Sequence, residues 1–63
     1  MTLQMKLNNK KLFNSFCSTF RTSESLLGKD KETLTIQYAV IDRFEAGQIL
    51  NILSDSVIKW ELI

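Results

Sequence analysis

The sequence has no histidine and no proline, one cysteine and only two glycines in 63 residues. Without histidine it lacks the usual general base at neutral pH and the commonest metal ligand. A single thiol cannot close an internal disulfide and is too few for a tetrahedral zinc site. There is no glycine-rich run to cradle a phosphate and no paired-cysteine loop to hold a metal, so no cofactor is expected. With so little chemistry on so short a chain, the expectation is a protein that is not an enzyme. No stretch approaches the ~20 apolar residues that cross a bilayer, so no membrane partner is expected. Met1 to Lys11 lacks the apolar core and small-residue cleavage site of a secretory leader. Cys17 as a free thiol with no export signal fits a reducing, cytoplasmic setting.

What is present is ordinary for a folded domain. Hydrophobic residues make up 44% and charged residues 24% of the chain, which argues against disorder. The length allows one domain, residues 1–63, of a size that buries only ~60% of its unfolded surface. Domains this small need efficient packing or self-association when disulfides and metals are excluded. The net charge of +1 conceals an asymmetry: residues 1–31 hold six basic and two acidic residues, residues 32–63 two basic and five acidic.

Thr2 to Leu7 alternates, with Leu3, Met5 and Leu7 on one side, which predicts a half-buried strand. Asn8-Asn9 breaks it and offers a helix cap. Leu12, Phe13, Phe16, Cys17 and Phe20 then recur at helical spacing. Thr22 to Leu27 reads as a short edge strand and Gly28-Lys29-Asp30-Lys31 as a turn, because glycine permits positive φ. Thr33 to Ile41 has strand composition, with Leu34, Ile36, Tyr38 and Val40 on one face. Asp42 followed by Glu45 is a capping-box-like start, with Ile41 and Ala46 as its flanking hydrophobic contact. It predicts a helix over Arg43 to Leu53 with Phe44, Ile49, Ile52 and Leu53 on one face. A hairpin about Ala46-Gly47 is the alternative for residues 42–55. Val57 to Ile63 alternates again, with Ile58, Trp60 and Leu62 opposite Val57, Lys59 and Glu61. The expected core is Phe13, Phe16, Phe20, Ile36, Tyr38, Ile49, Ile52 and Trp60.

The order strand, helix, strand, strand, helix, strand resembles the ferredoxin-like βαββαβ sandwich. That resemblance implies an α+β fold with one four-stranded antiparallel sheet, strand order 4-1-3-2, and two helices on one face. It carries no function with it. Separately, Val40-Ile41-Asp42-Arg43-Phe44-Glu45-Ala46-Gly47 is similar to the opening of a small bacterial family of all-β proteins that reads V-[IV]-D-R-[FI]-E-x-G. That resemblance implies the hairpin.

Few residues suggest a site. Lys10 and Lys11, beside the free N–H groups that open the first helix, are candidate anion-binding residues, although cations there oppose the helix dipole. Cys17 lies in the apolar stripe and reads as a small buried hydrophobe. Asp42 and Glu45 are accounted for by capping. The open sheet face would carry Gln4, Lys6, Thr35 and Gln37, without the stacking rings of sheet-based RNA readers. The last strand is an expected sheet edge with no proline or glycine and two charges of opposite sign, so Val57, Lys59, Glu61 and Ile63 are the candidate interface. The leading expectation is a small interaction module that forms a homodimer or binds another protein. The alternative is a nucleic-acid binder using Lys6, Lys10, Lys11, Arg21, Lys29 and Lys31, against which the near-zero net charge weighs.

Overall fold

A computed structural model describes residues Met1–Ile63. The elements are β1 (Thr2–Leu7), α1 (Lys10–Thr19), β2 (Leu26–Asp30), β3 (Thr35–Ala39), α2 (Arg43–Leu53), a 3-10 turn at Ser54–Ser56, and β4 (Val57–Leu62). The four strands form one antiparallel sheet in the order β2-β3-β1-β4. This is the βαββαβ plan expected from the element order, with β1 and β3 central and β2 and β4 at the edges.

The core lies on one face of the sheet. Leu3, Met5 and Leu7 of β1 and Ile36 and Tyr38 of β3 point into it, opposed by Phe13, Phe16 and Cys17 of α1 and Ala46, Ile49 and Leu53 of α2; Val40 completes it. It contains no buried polar or charged residue, so no part of the core depends on a polar network. Phe16, Phe20 and Tyr38 form an aromatic cluster: the Phe16 and Phe20 centroids are 4.6 Å apart, and Tyr38 meets both edge-on at 5.6 and 5.5 Å. These edge-to-face contacts add to area burial and hold a helix whose serine and threonine content gives it weak intrinsic propensity.

Both helix starts follow the sequence. Asn9 caps α1 by accepting the Leu12 N–H at 3.1 Å, and Asp42 caps α2 by accepting the Glu45 N–H at 2.9 Å. Residues 43–53 are therefore helical, and neither the hairpin alternative nor the all-β resemblance holds for them. The hydrophobic contact expected beside that cap does not form, because Ile41 is 84% exposed. The buried stripe of α2 is Ala46, Ile49 and Leu53. Phe44 lies on the opposite side of the helix and Ile52 about a quarter-turn away, and each is 75% exposed.

The β2–β3 connection also differs from expectation. Gly28-Lys29-Asp30 belongs to β2, and the turn is Lys31–Leu34. Asp30 starts it by accepting the Glu32 N–H at 2.9 Å, an Asx turn. The left-handed residue is Leu34, with φ 54°, and neither glycine has positive φ. A Cβ at Gly28 would lie 3.0 Å from Gln37 Oε1, the far end of a flexible side chain that can move aside.

Candidate functional site

The most distinctive surface is the free edge of β4 and the groove beside it. β4 pairs only with β1. At its end, Thr2 and Ile63 exchange both backbone hydrogen bonds, N–H to O at 3.0 and 2.9 Å. Bonding direction alternates along an antiparallel strand. Glu61, opposite Gln4, and Lys59, opposite Lys6, therefore also turn their backbone groups toward β1. Trp60 and Leu62 turn theirs outward, unpaired.

Trp60 faces the helix side, opposite buried Met5, and Leu62 follows it opposite Leu3. The sequence alternation thus assigns Trp60 its correct face, but not its burial: it is 53% exposed. The reason is lateral. The buried stripe of α2 packs against the central strands, and the edge strand lies beyond it. Between them runs a groove of about 380 Å³ lined by Arg43, Ala46, Gly47, Leu50, Trp60 and Leu62. Gly47 contributes to that space, since nothing lies within 4 Å of the position its Cβ would take.

A bulge interrupts β4. Lys6 pairs with Lys59 but Leu7 pairs with Val57, so Ile58 is the extra residue and is 56% exposed. The bulge turns Val57 to the core side, where it packs against the core. Val57 therefore does not share a face with Lys59 and Glu61, as period two predicts. Its N–H donates to the Ser54 carbonyl and is not a free edge donor. Ile63, 69% exposed, has both backbone groups tied to Thr2.

Lys59 and Glu61 stand on the open face with Gln4, Lys6, Thr35 and Gln37. Gln37 Nε2 donates to Gln4 Oε1 at 2.9 Å, and that face carries no aromatic ring. Lys6 and Lys59 are directly opposite one another, a like-charge pair that opposes sheet pairing.

The six basic residues of the first half do not form one patch. Lys10 and Lys11 are exposed at the start of α1, near the end of the sheet that holds Lys31, with no acid in the first helical turn. Arg21 follows the opposite end of α1. Lys6 is on the open face, whereas Lys29, paired with Ile36, is on the covered one. Burial pushes the Cys17 thiol up from its ordinary value, and the nearby Lys29 ammonium only partly offsets this. That suits the inert role expected of Cys17. No group of three or more histidine, cysteine, aspartate or glutamate side chains is placed to hold a metal ion, and no helix is long and apolar enough to cross a membrane.

Compared with protein-family models, curated proteins and solved structures, the chain matches none.

Sequence reasoning did not find Arg43, Gly47 and Leu50 as neighbours of Trp60. The available signal was Gly47, a costly residue in mid-helix on the side of α2 that turns toward the edge strand.

Proposed function

We propose that the protein is a small non-catalytic interaction module of the reducing cytoplasm. It acts through the outer edge of β4, by self-association or by accepting a strand from another protein. The observation that carries this reading is the conjunction at Trp60: outward backbone donors and acceptors next to an apolar groove. Strand addition uses this combination, with main-chain bonds giving affinity and a side-chain pocket giving specificity. Natural sheets usually blunt an edge of this kind with proline, inward charges or a covering segment. The bulge at Ile58 protects one end of β4 and leaves Trp60 and Leu62 open.

The test is sedimentation across a concentration series, comparing the parent with Trp60→Lys. The lysine places a charge at the edge and in the groove, and a side chain already half exposed is replaceable without unfolding, which circular dichroism verifies. A parent that associates and a variant that does not support the reading. Repeating the series with mixed nucleic acid addresses the alternative suggested by the basic first half. A complex that weakens steeply with salt would favour it.

A further inference from the structure

We infer that the occupant of the β4 edge is a second copy of this chain, paired antiparallel with Trp60 opposite Trp60 of the partner subunit. The inference rests on the reading of β4 as a docking edge and adds the partner and the register.

The register follows from which groups point outward and where the charges sit. A two-fold axis through the edge makes β4 run antiparallel to its copy, the commonest oligomer geometry. Outward groups must meet outward groups, so the axis passes beside one residue of the strand. With the axis at Glu61, two carboxylates face each other; at Lys59, two ammonium groups do. Either arrangement sets like charges directly opposite, which is destabilising. With the axis at Leu62, Trp60 has no partner residue within β4. With the axis at Trp60, the two Trp60 residues exchange both backbone hydrogen bonds. Lys59 then stands opposite Glu61 of the partner subunit, twice by symmetry.

Two independent features fit this register. Lys59 is flanked on its inner side by Lys6, and a carboxylate on its outer side offsets that repulsion. On the helix side, the two half-exposed Trp60 rings meet at the axis. The groove beside each, lined by Ala46, Gly47, Leu50 and Leu62 together with Arg43, then joins its counterpart in one largely apolar seam. The result is a continuous eight-stranded sheet with both β4 edges removed.

The experiment is disulfide trapping together with sedimentation. Directly opposed residues fall within the Cα separation a disulfide spans, ~4.4–6.8 Å, and residues two positions out of register do not. Lys59→Cys and Glu61→Cys are oxidised separately and as an equimolar mixture; the parent, whose Cys17 is buried, is the control. Only the mixture is expected to give a covalent dimer. In parallel, Lys59→Glu and Glu61→Lys each raise the dimer dissociation constant about tenfold, and the double reversal restores it. Glu61→Cys or Lys59→Cys trapping alone overturns the register while leaving self-association in place. A parent that dimerises with no trapping in any combination overturns the Trp60-centred register. A parent that stays monomeric through hundreds of micromolar overturns the inference and the self-association reading together. Circular dichroism of each variant separates loss of pairing from loss of fold.

Discussion

Met5 and Trp60 stand directly opposite each other in the β1–β4 ladder, on the same face of the sheet, yet Met5 is 0% and Trp60 53% exposed. One ladder rung therefore crosses from the core to solvent. Met5 has a strand on each side and two helices over it. Trp60 has a strand on one side only and stands beyond the buried stripe of α2. The largest apolar ring of the chain is left at the boundary, next to the outward backbone groups of Trp60 and Leu62.

The aromatic cluster is the centre of stability. Phe16 is 7% exposed and touches Phe20 and Tyr38. Phe16→Ala removes about 3–5 kcal/mol, comparable to the whole stability of a domain this size. The expected outcome in thermal denaturation followed by circular dichroism is a chain largely unfolded at 25 °C. A variant melting within a few degrees of the parent would contradict the packing described.

The Asp42 cap is worth about 1 kcal/mol. Asp42→Ala is expected to lower the urea midpoint accordingly, and Asp42→Asn, which keeps an acceptor for the Glu45 N–H, to lose much less.

Gly47 sits in mid-helix with open space where a Cβ would go. Gly47→Ala therefore gains helix propensity of up to about 1 kcal/mol without a clash. The chain should melt roughly 4–8 °C higher. A fall in melting temperature would mean that the groove beside Trp60 is narrower than described.

Ser54 and Leu34 are the two non-glycine residues with positive φ, 47° and 54°, and their glycine substitutions should differ in sign. Ser54, with ψ −127°, occupies a region that favours glycine and buries no side chain in the core. Ser54→Gly is expected to stabilise by about 1 kcal/mol in equilibrium denaturation. Leu34 packs against the core, so Leu34→Gly relieves a milder backbone cost and loses a larger apolar contact, on the order of 2 kcal/mol. A net loss is expected.

Burial raises the Cys17 thiol above its ordinary value of 9.0. A group whose folded value is raised contributes stability that is fully present below the unfolded value and lost as pH rises through the folded one. The parent is therefore expected to lose stability above pH about 9 more steeply than Cys17→Ala in paired denaturation curves. Native Cys17 should also react slowly with a thiol-specific dye, and rapidly once the chain is unfolded.

The positions of β1 and α1 were legible because each combines a clear period with an explicit signal, whereas α2 was legible from its Asp42 cap and not from its apolar pattern, which misplaced Phe44 and Ile52. β1 alternates cleanly, Asn9 and Asp42 are strong caps, and the phenylalanines of α1 recur at helical spacing. The interface proposal was only half legible. Opposite charges on an edge strand are visible in Lys59 and Glu61, but the groove that accompanies them depends on how the neighbouring helix α2 packs over the sheet, which the local pattern does not specify.

Local chemistry by itself determined the element order, the helix starts and an all-apolar core, because capping and periodicity act over a few residues. Tertiary structure decided the rest. Gly28-Lys29-Asp30 entered β2 because they pair with Gln37, Ile36 and Thr35 of β3, and the turn passed to Lys31–Leu34, where Leu34 takes positive φ and packs against the core. Val57 changed faces because the bulge at Ile58 shifts the register by one residue, and in a period of two that reverses the side chain. Trp60 and Ile52 stayed exposed because burial depends on what lies over a residue: one is on an edge strand beyond the buried stripe of α2, the other on the flank of that helix.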